Sequence, residues 1–257
     1  MKYLTLCFLL LLLIIPLGKA NASLRILTEE WAPISFQDHG VPQGYGVKLV
    51  QQLAHQLDVD ADIEVLPWAR AYSIASSEPN VMLFPMSDNA ERSRLFDFVG
   101  PIATATINIY AHADDDVEIE DLSQLDELGS VGVYRGAIGQ SMLTDAGVKH
   151  LTVASMPQHS AKQLLHKRIR FWCQADLAVV SLLDDVSAGV EQIKPVYELA
   201  KIDLYLAFSK GTDPKVVRQW HNALQQLESQ GELARLFEAW IPDDYEPNEI
   251  EHIELAD

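Results

Sequence analysis

Three features of this chain predict an α/β fold. Short β-rich runs alternate with amphipathic stretches along most of its length, the pattern of a sheet covered by helices. The last such stretch, residues 212–240, is a strong helix signal, with Asp213 as cap, Pro214 at the first helical position and Gly231 as a break between two helices. Apolar residues make up 48% of the chain, enough to build one large or two medium α/β units around a hydrophobic core.

The elements follow in order. LRILTEEW (24–31) opens as a short β-rich run. VKLVQQLAHQL (47–57) sets Val47, Val50, Leu53, Ala54 and Leu57 on one helical face. ADIEVLPWA (61–69) reads as a strand, RAYSIASS (70–77) as a helix and NVMLFPM (80–86) as a strand. Beyond SDNAERSRLFDFVGPI (87–102) come the strand-like ATINIYAHA (105–113), an acidic patch (114–121) and SVGVYRG (130–136), a strand ending in a glycine turn. SMLTDAG (141–147) is a short helix closed by glycine, HLTVAS (150–155) a strand, and SAKQLLHKR (160–168) a helix with a serine cap. FWCQADLAVV (171–180) is a buried run, and residues 196–210 are strand-rich. No internal repeat is present.

The ends and the charge bound the function. Lys2, an apolar run from Leu4 to Leu17 and Ala20-Asn21-Ala22 form a secretory signal peptide, residues 1–22. That run of about 14 residues is short against the ~20 that span a bilayer. Its removal leaves Cys173 as a lone cysteine, without an internal disulfide, and 17 basic against 37 acidic residues, a net charge of −20. Such a balance excludes nucleic acid as a partner. Residues 243–257 hold seven acids without apolar periodicity and read as a solvated tail. The expectation is a monomeric protein of the periplasm.

Four strings in register carry a resemblance over residues 24–241: WAPISFQDHGVPQGYGVKLVQQLAHQL (31–57), NAERSRLFDFVGPI (89–102), SVGVYRGAIGQ (130–140) and DPKVVRQWHNALQQLESQGELARLFEAW (213–240). Together they resemble bacterial extracellular solute-binding protein family 3, the periplasmic amino-acid-binding type with the type II periplasmic-binding-protein fold. The resemblance implies two α/β lobes joined by two crossover strands that close on a small ligand. Lobe one would comprise 23–104 plus 204–242 and lobe two 105–203, with hinges near Thr104–Thr106 and Lys201–Leu204. The implied partner of the loaded form is an inner-membrane ABC permease or a sensor protein.

It also implies the site. Arg92 matches the arginine that grips a ligand carboxylate, and a guanidinium suits paired, charge-assisted bonds to that group. Asn89 reads as a helix cap, leaving free N–H groups facing the same anion. The alternative for Arg92 is an exposed pair with Glu91 or Asp97; Arg94 is the solvated arginine. Trp31 and Trp68 match aromatics that cover the ligand, and Ser87 a hydrogen-bonding position. Arg70 either adds a positive charge to the cleft or sits on the surface. Gly136 and Ala137 match a glycine turn whose N–H groups meet the carboxylate, although Ala137 and Ile138 stand where hydroxyls are usual. The lobe-two aspartate that binds an ammonium falls at Ala175 or Asp176. If Asp176 faces the cleft an α-amino acid fits; if Ala175 does, the ligand lacks that ammonium partner.

Other chemistry is weaker. His159 and His166 make no metal site, and no nucleophile elbow or phosphate loop is present. Cys173 reads as a buried hydrophobe, and Trp220, Phe237 and Trp240 as core. No cofactor is expected. A dehydratase on the same fold is the enzymatic alternative, with Glu29, Glu30 and Asp176 as the acids near the cleft; a sensory module is the other.

Overall fold

The computed structural model describes residues 23–241. The expected signal peptide and the acidic tail lie outside the described residues. Ten strands are present among them: β1 (Arg25–Thr28), β2 (Phe36–Asp38), β3 (Val41–Gln43), β4 (Ile63–Val65), β5 (Val81–Ser87), β6 (Phe96–His112), β7 (Val131–Tyr134), β8 (Leu151–Ala154), β9 (Phe171–Ala175) and β10 (Ile193–Ser209). Eight α-helices cover them: α1 (Tyr45–Leu57), α2 (Trp68–Ser77), α3 (Leu125–Leu128), α4 (Ile138–Asp145), α5 (Pro157–Leu165), α6 (Asp176–Asp184), α7 (Pro214–Ser229) and α8 (Glu232–Trp240).

The main sheet runs β4-β1-β5-β10-β6-β9-β7-β8, and β2–β3 form a separate hairpin. Its centre is the antiparallel pair of β6 and β10, each 17 residues long. The pairing runs from Ile193 opposite His112 to Ser209 opposite Phe96, with three register shifts. On one side β1, flanked by β4 and β5, pairs in parallel with both. On the other, β7 does so with β8 and β9. Each wing is thus a small parallel sheet, and β6 and β10 pass through both. That is the two-lobe architecture with two crossover strands. Thr104, Ala105 and Thr106 lie opposite Asp203, Ile202 and Lys201, and the Thr104 hydroxyl donates to Asp203 Oδ1 at 2.7 Å.

Local chemistry explains most boundaries. Pro214 opens α7 and the Asp213 side chain accepts the Lys215 N–H at 2.9 Å, while Gly231, at φ 74°, separates α7 from α8. Tyr45 and Phe237 meet edge to face, and the Tyr45 hydroxyl donates to the Ile102 carbonyl at 2.7 Å, locking α1 and α8 to the base of β6. Trp220 and Phe237 are buried; Trp240 is half-buried against Phe36. Three expectations need correction. Ser160 does not cap its helix but lies buried inside α5, which Pro157 opens after Met156. The strand expected over 61–69 ends at Val65 and α2 begins at Trp68, because Pro67 cannot continue the ladder and serves as the helix entry. The buried run 171–180 is two elements, β9 and α6, meeting between Ala175 and Asp176.

Candidate functional site

The ends of β1, β5, β7 and β9 open onto one cleft of about 390 Å³ between the two sides of the sheet, within the usual range for a small-molecule site. Arg92 lines it. It opens a short 3₁₀ turn after β5 and is 4% exposed. The Asn89 side chain accepts the N–H groups of Glu91 at 3.1 Å and Arg92 at 2.8 Å. Asn89 thus braces the turn from two residues before its N-cap, Glu91, and it occupies N–H groups expected to face an anion. Arg92 Nη1 donates to the Ser87 carbonyl at 2.9 Å and to Ser87 Oγ at 2.7 Å, and Nη2 to the Gly136 carbonyl at 3.4 Å. The guanidinium lies over the rings of Trp68 (5.1 Å) and Tyr72 (5.6 Å), a desolvated cation–π arrangement. Burial pulls its pKa below the ordinary value, opposed by Tyr72 and Glu29.

Trp68 bridges the two sides. Its indole N–H donates to the Gly136 carbonyl at 2.8 Å and its backbone N–H to the Tyr134 hydroxyl at 3.1 Å. Ser181 Oγ, on α6, donates to the Ala32 carbonyl at 3.1 Å. Trp31 also lines the cleft, and its buried indole N–H has no hydrogen-bond partner.

The remaining expected residues divide. Ser87, Arg92, Trp31, Trp68 and Ala137 line the cleft; Arg70, Gly136 and Asp176 do not. Arg70 is exposed on α2, where its charge lowers the pKa of Glu64 after the stronger effects of Arg25. The N–H groups of the glycine turn are engaged, Gly136 with Gln140 Oε1 at 2.7 Å and Ala137 with the Tyr134 carbonyl at 3.1 Å. What that turn presents to the arginine is the Gly136 carbonyl. Of the alternatives for the ammonium position, Ala175 is the residue in the cleft, 2% exposed. Asp176 starts α6, and its Oδ1 accepts the N–H of Leu177 at 2.7 Å and of Thr106 at 3.0 Å. A carboxylate in the first helical turn is a favourable partner for those donors, and it ties α6 to the crossover strand.

Glu29 and Glu30 follow β1 and both line the cleft. Glu30 accepts the Gln37 N–H at 3.2 Å. Burial pushes the Glu29 carboxyl up to about 8, against the attraction of Arg92. Tyr134, with no assigned role in the sequence, also lines the cleft, its phenol raised to about 12 by burial and then by Glu29. Only its place at the end of β7 could have marked it. Cys173 lines the cleft as a thiol raised to about 12 by burial. No group of three or more His, Cys, Asp or Glu side chains able to hold a metal occurs among the described residues.

Known proteins share this fold. The family model for bacterial extracellular solute-binding proteins, family 3, matches residues 24–243. The chain belongs to that family. The L-cystine-binding protein TcyA of Bacillus subtilis (strain 168) is 23% identical over 232 residues, 88% of this chain and 84% of the relative. Among solved structures, a histidine kinase sensor domain with similarity to periplasmic binding proteins superposes with a TM-score of 0.78 at 19% identity, over 87% of this chain and 97% of that one. An ancestral arginine-binding protein bound to arginine gives 0.74 at 21% identity, over 86% and 98%. These likenesses show the fold. No helix among the described residues is long and apolar enough to cross a membrane.

Proposed function

We propose that this solute-binding protein captures a small, carboxylate-bearing solute of the amino-acid class by closure of its two lobes. The observation that carries the reading is Arg92: a buried guanidinium in a cleft of ligand size, braced by Ser87 and stacked on Trp68 and Tyr72. A cation desolvated to this degree gains most from an anion that reaches its remaining N–H groups. Lobe one, 23–104 plus 204–242, would hold Arg92, Trp31, Trp68 and Glu29; lobe two, 105–203, would bring Tyr134, Ala137 and Ala175. The hinge would lie where 104–106 pairs with 201–203. A ligand selects the closed state because only that state brings both walls onto it. The first backbone N–H groups of α4, at the cleft residues Ile138 and Gly139, would replace those of the glycine turn as donors.

The protein would act in the periplasm, handing its ligand to an inner-membrane ABC permease; the likeness to a kinase sensor domain keeps a membrane sensor as the alternative receiver. A thermal-unfolding screen against amino acids, organic acids and polyamines tests the reading. A ligand at ~100 times its Kd adds about 2.7 kcal/mol. Silence across the acids refutes it.

An enzymatic reading rests on one observation. Glu29 lines the cleft and burial raises its carboxyl to about 8, toward the protonated form that donating to a leaving hydroxyl requires. Incubation with prephenate or arogenate decides between the two, and absence of product removes the dehydratase.

A further inference from the structure

Charge is spread unevenly along this chain. Residues 146–175 contain no Asp or Glu, the longest acid-free stretch in a sequence with 37 acids. The same stretch holds five Lys or Arg and three His. It spans β8, α5 and β9. Every exposed residue of α5 and of the turn that follows it is a His, Lys or Arg: His159, Lys162, His166, Lys167 and Arg168. A helix C-terminus favours cations in its last turn, which accounts for these residues one at a time. It does not account for the absence of acids from the whole stretch.

Nearby acids neutralise part of the set. Asp114 pairs with Lys167 at 2.6 Å and Asp115 with Arg170 at 2.8 Å, while Asp126 accepts the backbone N–H groups of Lys149 and His150. Asp184 and Asp185 are exposed at the end of α6, the helix packed against α5. Lys162 and Arg168 are left without an ion-pair partner among the described residues.

The complement of this face lies in the same sequence. Residues 243–257 hold seven acids and no Lys or Arg. The described chain stops at Ile241, next to Trp240, whose ring lies 6.2 Å from that of Phe36. Phe36 lines the same cleft as Met156, Pro157 and Gln158, where α5 begins. The end of α8 and the start of the basic helix therefore border one cleft of about 390 Å³. The nine residues of α5 make a helix of about 13 Å, whereas residues 242–257 reach up to about 53 Å when extended. Length does not limit a contact between them, and a tether that short gives its acids a roughly millimolar effective concentration at α5.

We propose that the acidic segment 243–257 docks on the basic face of α5, with its carboxylates on Lys162 and Arg168. The contact straps the α8 side of the sheet to the β8 side across the mouth of the cleft. It is electrostatic, so salt releases it, and it does not depend on which solute the cleft takes.

Carbodiimide coupling, which joins a carboxylate to a lysine amine only where the two touch, tests the strap on residues 23–257. Protein with natural nitrogen and protein with heavy nitrogen are mixed equally, coupled, and the linked peptides read by mass spectrometry. Lys162 should couple to carboxylates of 243–257 in same-isotope pairs, several-fold more than Lys215, an exposed lysine of α7. Raising salt from about 0.01 M to about 1 M shortens the screening length from about 30 Å to about 3 Å and should erase that preference. Arg168→Glu leaves the Lys162 amine in place and should lower its yield several-fold. Replacing the seven acids with Asn and Gln uncovers the face, and should raise sedimentation with phosphatidylglycerol vesicles. Mixed-isotope pairs would assign the face to the tail of a second copy and overturn the proposal. Equal yields at Lys162 and Lys215, or yields indifferent to salt and to R168E, overturn it as well. So does vesicle binding that R168E abolishes and the neutral tail leaves unchanged, which would assign the face to an anionic membrane. If R168E does not fold, the salt series and the isotope pairing decide.

Discussion

Replacing Glu29 with glutamine should remove a distinct slope from the pH profile of stability in the ligand-free protein. Glu29 is 8% exposed, and its carboxyl is lifted from 4.5 to about 8 by burial. Its folded pKa thus lies above its unfolded one. Between those values the native state holds a proton that the unfolded chain has lost, so wild-type stability falls as pH rises through the window. Below pH 4.5 both states are protonated, and above pH 8 neither is, so the effect is confined between them. One proton corresponds to about 1.4 kcal/mol per pH unit, hence roughly 2–3 kcal/mol between pH 5.5 and 7.5. Glutamine cannot titrate. Urea unfolding of both proteins at these pH values should therefore show the variant gaining about that much on wild type as pH rises, other groups cancelling in the comparison. Parallel profiles would mean that Glu29 ionises normally beside Arg92, and would refute the claim that burial outweighs that attraction.

Further outcomes follow from the same geometry. Arg92→Ala removes two charge-assisted bonds of about 1.5–3 kcal/mol each, so the affinity for any carboxylate ligand should fall on the order of 10²–10⁴-fold by calorimetry. Trp68→Phe deletes the indole bond to the Gly136 carbonyl, worth about 0.5–1.5 kcal/mol, and should shift small-angle scattering of the ligand-free protein toward a larger radius of gyration if that bond holds the walls together. Asp176→Asn retains an acceptor for the N–H groups of Leu177 and Thr106, so ligand affinity should stay within about threefold; a far larger loss would put the carboxylate back in the cleft. Gly44→Ala should destabilise by about 1–3 kcal/mol or more in urea unfolding, because Gly44 has φ 112° and an added Cβ would lie 2.5 Å from the Ile34 carbonyl oxygen.

Much of the fold was legible because its signals are local. Asp213, Pro214 and Gly231 define α7 and α8 by chain chemistry alone, and the alternation of apolar runs marks strands wherever they are buried. The boundary at Pro67 was misplaced because an apolar run followed by tryptophan has no period of its own. Arg92, Ser87, Trp31 and Trp68 could be named in advance because a resemblance carries spacing. The direction of a side chain is different. Whether Ala175 or Asp176 meets the cleft depends on the residue at which β9 becomes α6, and a shift of one position exchanges the two. The N–H groups of the glycine turn are bonded to Gln140 and Tyr134, neighbours a sequence cannot rank.

The sequence by itself determined the element types, the family and the arginine around which the cleft is built, since each follows from residues close together in the chain or from a pattern matched in order. Only the tertiary structure decided which carboxyl is buried in the cleft. Glu29 follows β1, Arg92 follows β5 and Tyr134 ends β7, and the burial that lifts Glu29 to about 8 exists only where those three strand ends converge. Desolvation and charge act through space, and that space is defined by the sheet.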